Sequence, residues 1–262
     1  MHLEKVARQV IEIAKEAGGF IREQRKTFTP DKIEIKGLND LVSYVDKTAE
    51  QLIVSGLQKV LPEAGFITEE KTIDKISDQY NWIIDPLDGT TNFIHGLPVY
   101  SVSIALQEYD KLVVGVVYEI NQDECFYAWE GSLAYLNGNE IRVSSSPAIN
   151  KSLLATGFPY FDFSKQPAYI ALFTELMQSC HGLRRLGSAA VDLAYTACGR
   201  FDGYYEYNLN PWDVAAGILI VRQAGGDVVN FKGGHECLSA RELLATNGRI
   251  TAELLRTIQK HF

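Results

Sequence analysis

Residues 82–93, Trp-Ile-Ile-Asp-Pro-Leu-Asp-Gly-Thr-Thr-Asn-Phe, constrain this chain more than any other stretch. The apolar run 82–84 reads as a buried strand bounded by turn signals. At its end stand two acids, Asp85 and Asp88, with Pro86 fixing φ between them. Gly89 and two threonines follow and open a new helical segment. Strands that end in acids and pass through a glycine into a helix are how α/β proteins build sites at strand ends.

On its own, Asp-Pro-Leu-Asp-Gly is a turn, and its Asp and Thr residues are helix caps. The company it keeps argues for more. Two carboxylates in a tight turn repel each other unless a cation relieves them, and hard cations such as Mg²⁺ take carboxylate and carbonyl oxygens. The amides of Gly89, Thr90 and Thr91 suit an anion. Cation ligands beside an anion cradle point to a phosphate ester.

Four further acids stand where a second reading is open. Glu69 and Glu70 end a short strand over 65–68; such a pair is ordinarily a solvated edge, but this is the second nearby strand to end in carboxylates. Asp46 falls in the first turn of a helix over 44–61, where it favours the helix dipole without any other role. Asp213, in Asn210-Pro211-Trp212-Asp213, also fits plain helix-start chemistry.

The 262 residues suffice for one large domain or two halves sharing a core. A formal charge of −8 argues against a nucleic-acid surface and an anionic membrane. No basic-then-apolar leader and no long apolar run is present, so a cytoplasmic protein is expected. Cys125, Cys180, Cys198 and Cys237 lack metal-type spacing and read as reduced packing residues.

Residues 3–27 form an amphipathic helix and 33–36 a strand. After residue 93 the runs 102–106, 112–118 and 124–129, with Asn137-Gly138 as a hairpin signal, predict an antiparallel sheet. The link 144–147 divides the chain into subdomains 1–146 and 147–262. In the second half, strands at 153–156, 203–206 and 243–246 alternate with helices at 166–180, 189–198, 211–223 and the C-terminus, a mixed α/β pattern.

Glu69-Glu70, Asp85-Pro86-Leu87-Asp88-Gly89-Thr90-Thr91 and Trp212-Asp213-Val214-Ala215-Ala216-Gly217, in this order, resemble the inositol monophosphatase family, Mg²⁺-dependent and lithium-sensitive. The likeness spans the whole chain: residues 36–46 resemble its N-terminal motif and Gly187-Ser188-Ala189-Ala190 its sugar-side motif. The resemblance implies one domain over 1–262 with an α+β, layered α-β-α-β-α sandwich, and a homodimer; the charge and the absence of a long apolar run argue for no nucleic-acid or membrane partner. It implies two to three Mg²⁺ per site. Glu69, Asp85 and the Leu87 carbonyl would hold the first, and Asp85, Asp88 and Asp213 the second. Glu69 would also touch a third, mostly hydrated ion. Thr90, paired with Asp46, would activate a water. The amides of Gly89 and Thr90 would hold phosphate, and Asp88, Gly187, Ser188, Ala189, Glu206 and Asp213 the substrate.

Inositol 1-phosphate is the leading substrate; fructose 1,6-bisphosphate, adenosine bisphosphate nucleotides and NADP are alternatives from relatives. Arg184-Arg185 is unassigned, His95 reads as a loop residue, and Lys36 as a strand-end lysine near the metals. A phospho-aspartate mechanism of the haloacid-dehalogenase type would need its acids one residue closer and gives Glu69 and Asp213 no role. A non-catalytic partner in transcription or RNA processing is the alternative of another class.

Overall fold

The computed structural model describes residues 1–29, 33–37, 40–159 and 162–262; the side chains of 33–37 and 40–42 lie outside that description. Helix α1 (Leu3–Lys26) buries Val6, Val10, Ala14, Ala17 and Ile21, spaced every three to four residues. Strands β1 (Ile33–Gly37) and β2 (Asp40–Ser43) form an antiparallel hairpin; the sequence signals only the first of them. Helix α2 (Tyr44–Val60) starts on a capping box in which Ser43 and Asp46 satisfy each other's backbone groups.

A sheet follows, from β3 (Gly65–Thr68), β4 (Tyr80–Asp88), β5 (Ser101–Glu108), β6 (Lys111–Glu119), β7 (Glu124–Trp129), β8 (Ala134–Leu136) and β9 (Asn139–Ile141). Its spatial order matches its chain order. The runs after residue 93 form the expected antiparallel sheet, while β3, which precedes them, pairs parallel with β4, the 69–79 connection being long enough for a crossover. The expected hairpin at Asn137-Gly138 is present, with φ of 48° and 86°.

The Asp85–Asp88 segment also differs from the expected turn. It continues β4, with an irregularity in its pairing to β5 between Asp85 and Asp88. Proline lacks the ladder N–H, and a bulge is where a strand tolerates it. The turn itself is Gly89, at φ 97°, before the short helix α3 (Thr90–His95).

The second half contains β10 (Leu153–Thr156), α4 (Gln166–Ser179), β11 (Gly182–Arg184), α5 (Ala189–Ala197), β12 (Gly203–Tyr207), α6 (Pro211–Gln223), β13 (Asp227–Val229), α7 (Cys237–Ala240), β14 (Glu242–Thr246) and α8 (Thr251–Gln259). Its five-stranded sheet has the order β11-β10-β12-β14-β13. Strand β10 pairs parallel with β11 and β12, while β14 pairs antiparallel with β12 and β13, so the expected mixed sheet is present.

Alternation along the strands builds the layers. Trp82, Ile84, Ile104 and Val116 pack under α1 and α2, whereas Ile83, Ala105 and Val117 face α5 and α6. In the second sheet Ala155, Tyr204, Leu243 and Ala245 turn toward the same two helices. Leu154, Tyr205 and Leu244 turn outward, under Leu172 and Leu176 of α4 and Leu254 and Ile258 of α8. The result is the α-β-α-β-α stack expected, with α5 and α6 as its middle layer.

A Cβ on Gly115 of β6 would stand 2.7 Å from the Ala216 carbonyl of α6, so glycine sets the closeness of that packing. The cysteines are free, and among the described residues no helix is long and apolar enough to cross a membrane.

Candidate active site

The ends of β3 and β4, the start of α5, the end of β12 and the start of α6 meet around one cavity of about 500 Å³. Its walls carry Glu69, Asp85, Leu87, Asp88, Gly89, Thr90, Gly187, Ser188, Ala189, Glu206 and Asp213. Every residue singled out from the sequence for metal or substrate contact therefore borders the same space. Asp46 stands behind that wall and reaches it through Thr90.

Asp46 is 1% exposed, and its Oδ2 accepts from the Ser43 amide and hydroxyl at 2.9 and 2.7 Å. Its Oδ1 accepts from Thr90 Oγ1 at 3.0 Å. Burial raises the Asp46 pKa, against these hydrogen bonds. Thr90 Oγ1 also lies 2.9 Å from the Leu87 carbonyl. One hydroxyl proton serves both acceptors, so engaging the Leu87 oxygen elsewhere commits Thr90 to Asp46.

The acids arrive from different elements. Glu69 follows β3, its amide bonded to the Ile84 carbonyl at 3.3 Å. Asp85 is 2% exposed, and its Oδ1 accepts from the Leu87 amide at 3.0 Å. Asp88 Oδ2 accepts from Ser188 Oγ at 2.6 Å and the Ala190 amide at 2.7 Å, tying β4 to α5. Asp213 is the N3 residue of α6, and its Oδ2 caps the Asn210 amide at 2.7 Å. That cap is the plain helix-start role open in the sequence, and it leaves Oδ1 for the cavity.

Desolvation raises Glu69 and Asp85 well above the carboxylate range, and the main charges acting on them come from other acids. Burial likewise raises Asp213 strongly, with Asp88 adding to it, and pushes Asp88 up to about 6. Among the described residues no three His, Cys, Asp or Glu side chains are drawn close enough to hold a metal ion. The donor set nevertheless fits a hard divalent cation: oxygen ligands only, buried, and mutually repelling.

Gly89 admits the close approach of two other segments. A Cβ there would lie 3.0 Å from the Val99 carbonyl, 3.1 Å from Tyr100 and 3.3 Å from the Gly187 carbonyl. Helix α3 is short, so its amides themselves, more than an extended dipole, are what an anion would find.

On the opposite wall, Glu206 Oε2 accepts from the Tyr204 hydroxyl at 2.6 Å, and burial pushes its carboxyl up to about 7. Gly157 backs it: a Cβ at 157 would fall 2.0 Å from Oε2. The Arg184-Arg185 pair divides. Arg184 is exposed, while Arg185 enters the cavity and stacks its guanidinium 4.6 Å over Phe158. His95, expected in a loop, is instead the last residue of α3, and its side chain is exposed. The Lys36 side chain lies outside the described residues.

Sequence reasoning missed Asp192, Asn208, Gly157 and Lys71 as cavity residues. Asp192 carried a signal: an acid among the apolar residues of α5, one turn after Ser188. The others sit in connections whose course depends on the finished fold.

A five-layer sandwich with a carboxylate-lined cavity on the seam between its halves is the architecture of a sugar-phosphatase-type fold. Residues 2–262 match the model of the inositol monophosphatase family. The chain belongs to that family. It is 41% identical over 250 residues to a protein of Pasteurella multocida named Nus factor SuhB, covering 95% of this chain and 94% of that one. It is 36% identical over 252 residues to an inositol-1-monophosphatase of Mesorhizobium japonicum, covering 96% and 95%. Its fold superposes on extragenic suppressor protein suhB of Bartonella henselae with a TM-score of 0.92 at 38% identity, covering 98% of this chain and all of that one.

Proposed function

We propose that this chain is a Mg²⁺-dependent phosphomonoesterase acting on inositol 1-phosphate or a closely related polyol phosphate. The observation that carries the reading is the cavity itself: Glu69, Asp85, Asp88 and Asp213 share it with Glu206, Ser188 and the Gly89 turn. Acids for cations, amides for phosphate and a hydroxyl-binding carboxylate thus border one space.

Glu69, Asp85 and the Leu87 carbonyl would hold one Mg²⁺, and Asp85, Asp88 and Asp213 another, with a third near Glu69. Bound there, the ions would supply Lewis acidity toward water and charge neutralisation for the ester. The chain's own groups do the rest. Thr90 and Asp46 hold the attacking water: as it adds to phosphorus, its proton passes to Thr90 Oγ1 and the Thr90 proton to Asp46 Oδ1. The Gly89 and Thr90 amides keep the phosphoryl oxygens aligned for in-line displacement. The ester P–O bond breaks, and the leaving alkoxide takes a proton from water at the open end of the cavity. Gly187, Ser188, Ala189 and Glu206 hold the polyol, a carboxylate being the natural acceptor for sugar hydroxyls.

A phosphate-release panel over inositol 1-phosphate, fructose 1,6-bisphosphate, adenosine bisphosphates and NADP, with and without Mg²⁺, tests this reading. Mg²⁺-dependent release, highest on inositol 1-phosphate, supports it; release without metal overturns it. Lithium inhibition, a homodimer and a cytoplasmic location go with the same reading. So does one catalytic domain over 1–262 with subdomains 1–146 and 147–262.

A second reading, a non-catalytic partner in transcription or RNA processing, is favoured by the name Nus factor borne by the Pasteurella relative. Pull-down with Asp85→Asn protein separates the two: a partner retained by an inactive variant belongs to the second role.

A further inference from the structure

Several buried polar atoms lack a hydrogen-bond partner, and among them Asp192 Oδ1, Asn208 Nδ2 and Trp212 Nε1 belong to residues that line this one cavity. Unsatisfied buried polar groups are few in native proteins and call for a reason. Trp212 adjoins Asp213 and is held by its helix. In Asp192 and Asn208 the side-chain atom left over belongs to a group suited to hydroxyls.

Asp192 is 1% exposed on α5, on the wall that also bears Glu206 and Arg185. Asn208 lies two residues beyond Glu206, at φ 65°, a left-handed conformation that non-glycine residues seldom adopt. Its Oδ1 accepts from Arg241 at 3.2 Å, which fixes the amide and leaves Nδ2 over. Asparagine tolerates that conformation, so the unmet donor is what calls for a ligand. The cavity that Glu206 lines therefore also holds an unmet carboxyl oxygen and an unmet amide donor, groups that hydroxyls satisfy.

We infer that Asp192 and Asn208 are specificity-determining residues that, with Glu206, read the hydroxyls of a polyol leaving group. This rests on the phosphatase reading above and adds to it the two contacts that select a polyhydroxylated ester over a plain one. Burial, with the neighbouring Glu206 and Asp88 charges adding to it, raises the Asp192 carboxyl well above its ordinary value.

Three variants test it: Asn208→Gly, which keeps the positive φ without strain; Asp192→Leu, of similar shape but apolar; and Asp192→Asn, which keeps hydrogen-bonding capacity. Each is assayed with Mg²⁺ on inositol 1-phosphate and on p-nitrophenyl phosphate, alongside melting temperature. Asn208→Gly and Asp192→Leu should lower the ratio of kcat/KM for the inositol ester to that for the nitrophenyl ester by about tenfold or more, mainly through KM. Asp192→Asn should restore most of it, and Asp192→Leu should melt no lower than wild type, since it removes an unsatisfied buried group. Equal losses on both esters, no loss on either, or a ratio that follows melting temperature overturn the inference while leaving the phosphatase reading in place. Wild-type protein that hydrolyses neither ester overturns the phosphatase reading, and the specificity assignment with it.

Discussion

Thr90 Oγ1 donates to Asp46 Oδ1 at 3.0 Å, joining the first turn of α3 to the first turn of α2 across 44 residues of chain. Asp46 is otherwise satisfied by its capping box, so the remaining oxygen is committed to Thr90. Thr90→Ala is expected to lower kcat on inositol 1-phosphate by about 10²-fold or more, the usual reach of a positioned proton relay. Thr90→Ser should keep most of the rate. Steady-state kinetics at saturating Mg²⁺ decide the matter; undiminished turnover in the alanine variant removes Thr90 from the chemistry.

Asp85 is the acid assigned to both cation positions. Asp85→Asn is expected to cost at least ~10³-fold in kcat, a few kcal/mol of transition-state stabilisation. Removing one of several crowded charges should at the same time raise the melting temperature of the metal-free protein. Calorimetry in EDTA beside a turnover assay shows whether both changes occur together.

Metal removal should make stability depend on pH with an unusual sign. Folding holds Asp88 near 6 and Glu206 near 7 through burial, whereas unfolded carboxyls release their protons near 4. Between about pH 4 and 7 the folded chain binds more protons than the unfolded one, so stability falls as pH rises through that window. Melting in EDTA at pH 5 and at pH 7.5 should show the drop. Mg²⁺ at about 100 times its Kd should add roughly 2.7 kcal/mol at the higher pH and flatten the profile.

Gly115→Ala probes the sandwich instead of the chemistry. Its Cβ would meet α6 backbone at 2.7 Å, where neither a side-chain rotation nor a loop shift provides relief. Overpacking of this kind costs about 1–3 kcal/mol. Urea unfolding of the variant measures it, and an unchanged midpoint would mean that the sheet and helix do not press together there.

Much of the site was legible because its acids stand at element ends, where strand alternation stops and helix caps begin. Asp85 and Asp88 could be placed that way, whereas Asp213 and the layered fold followed from the family resemblance. Short strands without a strong period, β2, β11 and β13, were not legible; they are defined by neighbours that supply their hydrogen bonds. The β4 end looked like a turn because Asp, Pro and Gly are turn residues, yet pairing with β5 carries the strand on to Asp88. The role of Asp192 was hidden because it depends on β12, which the fold brings to the same wall, and not on α5 alone.

Helix α6 has two duties at once: its flank separates the two sheets, and its first turn delivers Asp213 to the cavity. A cation gripped by Asp213 together with Asp85 and Asp88 would then act as a rivet through the seam. Breathing of the sandwich and escape of the ion would become one event. Loading the site should slow amide hydrogen exchange along the whole of Pro211–Gln223, including turns that lie far from any carboxylate.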